Sequence, residues 1–132
     1  AGIVLHLLGQ IHSLTKQNNF KPEDITESII NKARIIFRTN IDRDISIESV
    51  AEELNVSYAW FRKSFKAYSG IAPHQYLLQL KIEKAKILLA DPSLQIKEIA
   101  LLLNFKSPFY FSKLFREKTG LSPGQFRKAM HR

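Results

Sequence analysis

The chain contains an internal repeat with a period of 49–50 residues, and this repeat limits the possible folds more than any other feature. Residues 47–76 match residues 96–126 when one extra residue is allowed in the second copy. A pattern that recurs at such a period is typical of two copies of one supersecondary unit. The identical pairs include Ile47/Ile96, Ala51/Ala100, Leu54/Leu103, Asn55/Asn104, Phe61/Phe111, Lys63/Lys113, Phe65/Phe115, Gly70/Gly120, Pro73/Pro123 and Gln75/Gln125.

Each copy is predicted to form a short helix, a tight turn and a second helix. In the second copy Ser107 and Pro108 indicate a helix start, because serine accepts a bond from a free amide and proline sits where no amide bond is lost. Asn104 tolerates the left-handed conformation of the turn that precedes this helix, and Gly120 suits the end of the helix. The first copy has the same layout. We therefore predict two helix-turn-helix units.

The spacing of apolar residues predicts helices along the whole chain, and no stretch alternates like a strand for long. We expect an all-α fold in which two helix-turn-helix subdomains are joined by a long linker helix and preceded by an N-terminal helical segment. At about 1.5 Å per residue the linker helix spans ~27 Å. The predicted helices are 3–14, 23–39, 47–54, 58–68, 73–90, 96–103, 108–118 and 123–130.

The predicted domain organisation has three parts. Residues 1–22 are expected to be an N-terminal helix and linker that form the tail of an upstream domain, with Pro22 in a loop. Residues 23–90 are expected to form the first helix-turn-helix subdomain with the connecting helix, and residues 91–132 the second. On the linker helix we expect Lys81, Lys84 and Lys86 to be exposed.

The second helix of each unit presents the same outward pattern. At about 100° per residue, Phe65 and Tyr68 lie within about 40° of Phe61 and are expected to face the core. Four side chains point away from Phe61, at about 160°, 100°, 200° and 140°; we call them the first outer face: Ala59, Arg62, Lys63 and Lys66. The same angles measured from Phe111 define the second outer face: Phe109, Ser112, Lys113 and Arg116.

The positive charge of the chain is concentrated where these helices lie. The net charge is +8, yet residues 1–55 hold six basic against eight acidic residues, and residues 56–132 hold fourteen against four. A basic block on a helical domain favours a nucleic acid or an anionic surface as partner. Two groove-sized basic helices favour double-stranded DNA, read in two successive major-groove segments.

Several segments resemble the AraC/XylS family of bacterial transcription regulators. They are residues 45–70, residues 80–91 (LKIEKAKILLAD), residues 96–120 and residues 121–127 (LSPGQFR). The resemblance implies two helix-turn-helix subdomains that bind asymmetric DNA sites and regulate transcription, as an activator or a repressor, in the bacterial cytoplasm. It also implies an upstream effector-binding or receiver domain and contact with RNA polymerase.

The chain departs from the pattern of this family at a few positions. Asn104 stands where the family usually has glycine, and Ala72 stands where its repeat mate Ser122 offers a helix cap. Ala59 and Phe109 are apolar where the family often reads bases with polar side chains. An alternative for Phe109 is that its ring folds back over a neighbouring helix.

The outer faces supply the candidate DNA contacts. Arg62 is the best candidate for bidentate contact with guanine, while Lys63 and Lys113 reach either a guanine edge or a phosphate. The candidates for base contact are Ala59, Arg62, Lys63, Phe109, Ser112 and Lys113. The candidates for phosphate contact are Ser57, Lys66, Ser107 and Arg116.

Other functional classes have little support in the sequence. There are no cysteines, the four histidines are scattered, and no glycine-rich phosphate loop or nucleophile motif occurs, so we expect no enzyme activity, no metal site and no cofactor. No segment approaches the roughly 20 apolar residues of a membrane span, so no membrane partner is expected. The alternative hypothesis is a basic helical module for protein–protein contact or for an anionic surface.

Overall fold

The computed structural model describes residues 22–131, which form seven α-helices and, within that range, no β-strand. The all-α prediction is confirmed, and the predicted helix at 3–14 lies outside the described residues. The helices are α1 (Pro22–Thr39), α2 (Ile47–Glu53), α3 (Tyr58–Ser69), α4 (Pro73–Leu89), α5 (Ile96–Leu102), α6 (Pro108–Thr119) and α7 (Pro123–Met130).

The repeat is reproduced at the helix ends. The side-chain oxygen of Ser57 accepts a bond from the amide of Trp60 at 3.1 Å, and that of Ser107 accepts one from the amide of Tyr110 at 3.0 Å. The glycine after each of these helices is left-handed, with φ of 83° at Gly70 and 86° at Gly120. A side chain at such a position is strained, which explains glycine at both places.

The turn between the two helices of each unit uses asparagine in place of glycine. Asn55 and Asn104 have φ values of 58° and 57°, and they are the non-glycine residues with positive φ among those described. Asparagine tolerates this region better than other residues that carry a Cβ atom. The prediction that Asn104 forms the left-handed turn is confirmed.

One helix boundary was predicted wrongly. Pro22 was expected in a loop, but it is the first residue of α1. Proline is well suited to this position, because its fixed φ is helical and the amide it lacks has no partner in the first turn. The other helix ends agree with the predicted ones to within one residue.

The described residues divide into two compact units. The first contains residues 22–39 and 45–76, and the second contains residues 40–44 and 77–131. Helix α4 begins in the first unit and continues into the second. The domain boundaries predicted from the sequence stay a prediction.

The core of the first unit is an aromatic cluster between α1 and α3. Phe37, Phe61 and Phe65 are fully buried, and the ring of Phe37 lies 5.8 Å from that of Phe65 in an edge-on arrangement. Tyr76, in the first turn of α4, packs against the ring of Phe65 at 5.3 Å. This cluster fixes the rotation of α3 about its axis, and it therefore decides which residues of α3 reach solvent.

The core of the second unit repeats this arrangement around α6. Phe111 and Phe115 are fully buried, with Phe105 at 4.9 Å from the first ring and Phe126 at 5.3 Å from the second. The aliphatic part of the same cluster comes from α4, α5 and the residue that caps α5: Leu78, Ile82, Ala85, Leu89, Ile99, Ala100 and Leu103. Helix α6 is therefore anchored in its core by two phenylalanines that occupy the same repeat positions as the two in α3.

Two predictions about burial were wrong. Tyr68 was expected to face the core but is 41% exposed, since it lies at the margin of the unit, where its hydroxyl donates to the carbonyl oxygen of Glu23 at 3.1 Å. Lys81 was expected to be exposed but is only 8% exposed. The stem of Lys81 lies within the second unit, with its ammonium over the ring of Phe105.

Candidate nucleic-acid interface

Helix α3 presents its basic side chains to solvent because its phenylalanines are anchored on the opposite side. With Phe61 and Phe65 fully buried, Arg62, Lys63 and Lys66 are exposed. Ala59 is exposed on the same face, and α3 contains no acidic residue. The first outer face is therefore solvent-accessible and positive, as predicted.

Helix α6 presents the second outer face in the same way. Lys113 and Arg116 are exposed while Phe111 and Phe115 are buried. Ser112 is only partly exposed, so its hydroxyl is less accessible than the angle alone suggests. The two lysines that occupy the same angle, on α3 and α6, are thus both available to a partner.

Phe109 lies in solvent at the start of α6. Its side chain is 79% exposed, so the structure does not place it back over a neighbouring helix. The adjacent Tyr110 behaves differently, because it is half-buried and its ring lies 6.2 Å from that of Phe105. Trp60, the repeat mate of Tyr110, is also half-buried. The apolar ring on the second outer face is therefore Phe109 alone.

The cap serines combine a structural bond with a free donor. The oxygens of Ser57 and Ser107 each accept a bond from a backbone amide, as described above. A hydroxyl carries one donor in addition to its two acceptor positions, so each can still donate to an anion. Ser57 is exposed and Ser107 is half-buried. Both stand at a helix N-terminus, where the helix dipole favours negative charge.

The cations of the outer faces have no counter-charge within the described residues. No hydrogen bond or ion pair joins the side chains of Arg62, Lys63, Lys66, Lys113 or Arg116 to any residue that the structure describes. By contrast, Lys86 of α4 forms an ion pair with Glu83 at 2.9 Å. A polyanion that binds the outer faces would not have to compete with an internal carboxylate.

Arg127 belongs to the basic half of the sequence but has a structural role. Its guanidinium donates to the carbonyl oxygens of Leu89 at 3.0 Å and of Asp91 at 3.2 Å, where α4 ends. A cation at this place satisfies carbonyls that have no helical partner and complements the dipole of α4. The Asp91 carboxyl accepts bonds from the hydroxyl and amide of Ser93, which lower its pKa.

Two exposed residues beside the outer faces were not singled out in the sequence. Tyr58 is the first residue of α3, and Lys106 precedes the cap serine of α6. Each is adjacent to the N-cap of its helix, and this adjacency is the signal that could have identified them.

Residues 22–131 contain no group of three or more histidine, aspartate or glutamate side chains that could hold a metal ion. Within the same range, no helix has both the length and the apolar character needed to cross a membrane.

Comparison with known proteins agrees with this geometry. Residues 50–129 match the family model described as a helix-turn-helix domain. The C-terminal domain of AraT, a response regulator from Geobacillus stearothermophilus, is 35% identical with a TM-score of 0.73, and the match covers 76% of this chain and 84% of that one. The chain belongs to the AraC family of helix-turn-helix domains. It is a sequence-specific DNA-binding domain of the kind that regulates transcription.

Other relatives of this AraC-family domain extend the comparison. The HTH-type transcriptional activator RhaR of Salmonella schwarzengrund is 28% identical over 125 residues, which are 92% of this chain and 44% of RhaR. The DNA-binding domain of AdpA, solved in complex with a target DNA, is 24% identical with a TM-score of 0.73, over 77% of this chain and 92% of that one, and shows the same fold. The chain spans less than half the length of the curated relatives that it matches.

Proposed function

We propose that the AraC-family domain reads double-stranded DNA with α3 and α6, each placed in one of two successive major-groove segments. The observation that carries the proposal is the repetition of one solvent-exposed basic face on two helices, each fixed by a buried pair of phenylalanines. A helix fits the major groove of B-DNA, and successive segments of the groove on one side of the duplex lie roughly 34 Å apart. An asymmetric operator follows, because the two faces differ in sequence.

The proposed base contacts differ between the two helices. Arg62 brings a planar fork that pairs with guanine O6 and N7, and Lys63 or Lys113 reaches either a guanine edge or a phosphate. Ala59 and the exposed ring of Phe109 suit contact with thymine methyl groups. Ser112, which is partly covered, bonds to either kind of base edge. Helix α3 is therefore proposed to make more hydrogen bonds to base edges than α6.

The proposed phosphate contacts surround these positions. Lys66 and Arg116 lie one turn beyond the lysines, and the hydroxyls of Ser57 and Ser107 lie at the helix N-termini. Half or more of the hydrogen bonds between proteins and DNA go to the backbone, and they set the register of the recognition helix. Tyr58 and Lys106, which lie next to these serines, are further candidates for phosphate contact.

The biological role that we propose follows from the relatives. RhaR is named a transcriptional activator, and we infer a regulator of that type, acting in the cytoplasm by binding and not by catalysis. The rest of the full-length protein is proposed to carry an effector-binding or receiver domain, and the DNA-bound domain to contact RNA polymerase. Residues 1–21 are proposed to belong to the connection with that upstream domain.

The alternative, a basic module for protein–protein contact or an anionic surface, requires one broad cationic or apolar face. The described residues instead carry two narrow faces of equal angular position, one in each unit. A pair of narrow basic helices suits two segments of a groove better than one flat surface. DNA is therefore the favoured partner.

Selection of duplexes from a random pool tests the proposal. We expect the domain to enrich one asymmetric motif at physiological salt and to bind its scrambled version at least roughly 1000-fold more weakly, as specific DNA-binding domains do. Equal binding of the enriched and scrambled duplexes would contradict sequence-specific reading. Binding to anionic vesicles without any DNA binding would support the alternative.

A further inference from the structure

Lys81 of α4 is a buried cation that neither the core nor the outer faces explain. Its side chain is 8% exposed, and its ammonium lies 5.4 Å from the centroid of the Phe105 ring. Burial lowers the pKa of Lys81, and the nearby carboxylate of Asp44 partly offsets that effect. An apolar residue of similar size would fill this place at lower cost in desolvation. The charge therefore calls for a role other than core packing.

Phe105 connects this cation to the start of α6. It follows the left-handed Asn104 in the turn, and its amide donates to the carbonyl oxygen of Ala100 at 3.0 Å. Its ring lies 4.9 Å from Phe111 and 6.2 Å from Tyr110, whose amide is bound to the cap serine of the helix. A cation over a ring face restricts the orientation of the ring, and a desolvated contact of this kind is worth more than an exposed one.

We propose that Lys81 is a positioning residue for DNA reading: by holding the ring of Phe105, it fixes the first turn of α6 and hence the direction of Phe109 and Lys113. The inference rests on the proposed function, since it assumes that α6 enters the groove. It assigns a role in DNA reading to a residue of α4 that does not itself contact DNA. A small displacement of the first turn of α6 would move every base-contacting atom on the second outer face.

The first unit lacks this device. Val56 follows Asn55 as Phe105 follows Asn104, and an aliphatic side chain has no ring face to hold a cation. The effect of Lys81 should therefore be confined to the part of the operator that α6 reads. This asymmetry gives the proposal an internal control within a single duplex.

The test compares Lys81→Met with Lys84→Met on the duplex enriched by selection. Both variants lose one positive charge from α4, so the long-range attraction to DNA falls by a similar amount in the two. They differ in that Lys84 is exposed whereas Lys81 is buried. Methionine keeps the length of the side chain, and its sulfur favours a ring edge over the ring face. We expect Lys81→Met to lose affinity roughly fivefold to tenfold and Lys84→Met less than about twofold.

Base-substituted duplexes then show where the loss arises. In Lys81→Met we expect weaker discrimination at the base pairs read by α6 and unchanged discrimination at those read by α3. Because no phosphate contact is removed, the salt dependence of binding should match that of Lys84→Met. Lys81→Arg, whose guanidinium also binds ring faces, should restore discrimination.

A double-variant cycle guards against an effect through stability alone. Phe105→Leu should reproduce the loss at the α6 base pairs, and adding Lys81→Met to it should cost little more, because the two residues act as one. Equal affinity of Lys81→Met and Lys84→Met, or additive effects in the cycle, would overturn the inference while leaving the proposed function intact. Failure to enrich any duplex would overturn both.

Discussion

Replacing Lys63 and Lys113 together by alanine is expected to weaken binding to the enriched duplex by roughly 100-fold, about tenfold for each lysine. Each lysine is exposed, has no partner among the described residues and occupies the same angle on its helix. The loss comes from contacts to DNA, since neither side chain supports the core. Titration of labelled duplex at fixed salt measures it.

The dependence of binding on salt separates the two roles left open for these lysines. If both contact phosphates, the slope of log K against log [salt] should become shallower by about two units; contacts to guanine edges should change base preference instead. The matched control is Lys32→Ala with Lys84→Ala, which removes the same charge from exposed positions on α1 and α4. Equal losses in the two double variants would contradict the assignment of the outer faces.

Phe111→Ala is expected to lower the free energy of unfolding by about 3–5 kcal/mol, enough to unfold much of the second unit. The Phe111 side chain is fully buried against Phe105 and Phe115, so truncation leaves a cavity in the core. Urea unfolding followed by helical circular dichroism measures the change.

Phe109→Ala is the matched control for this prediction, two residues earlier on the same helix. Because Phe109 is exposed, its loss should change stability by less than about 0.5 kcal/mol. It should nevertheless weaken binding to duplexes with thymine opposite α6, and replacing that thymine by uracil in the unaltered protein should have a similar effect. A large stability loss in Phe109→Ala would show that its ring packs in the core.

The parts of the fold that local chemistry determines could be predicted from the sequence. Helix starts are marked by Ser57 and Ser107, whose side chains accept a bond from a free backbone amide. Helix ends are marked by Gly70 and Gly120, because glycine adopts the left-handed conformation without strain. The buried faces of α3 and α6 could also be predicted, because the helical spacing of their phenylalanines places these side chains on one side of each helix.

The two errors about burial concern residues whose surroundings come from distant segments. Lys81 is buried because Phe105, 24 positions later, supplies a ring face for its ammonium, and no local pattern reveals this. Tyr68 is half outside the core because its partner, the carbonyl of Glu23, lies 45 positions earlier. The helical period gives the direction of a side chain but not what packs upon it.

The candidate site was predicted as two faces, and the exposure of those faces agrees with that prediction at every position except the partly covered Ser112. The division into base and phosphate contacts remains a proposal, because it depends on how deeply each helix enters the groove. That depth is set by the shape and charge of the duplex together with the protein surface.

The most direct test of the account is interference by methylation of guanine N7, which lies in the major groove, on the enriched duplex. Two helices in successive major-groove segments predict two clusters of interfering guanines, centred about 10 base pairs apart on one side of the duplex. Lys113→Ala should remove or weaken interference in one cluster, and Arg62→Ala in the other. A single continuous cluster, or no interference in the major groove, would contradict the claim that α3 and α6 both read DNA.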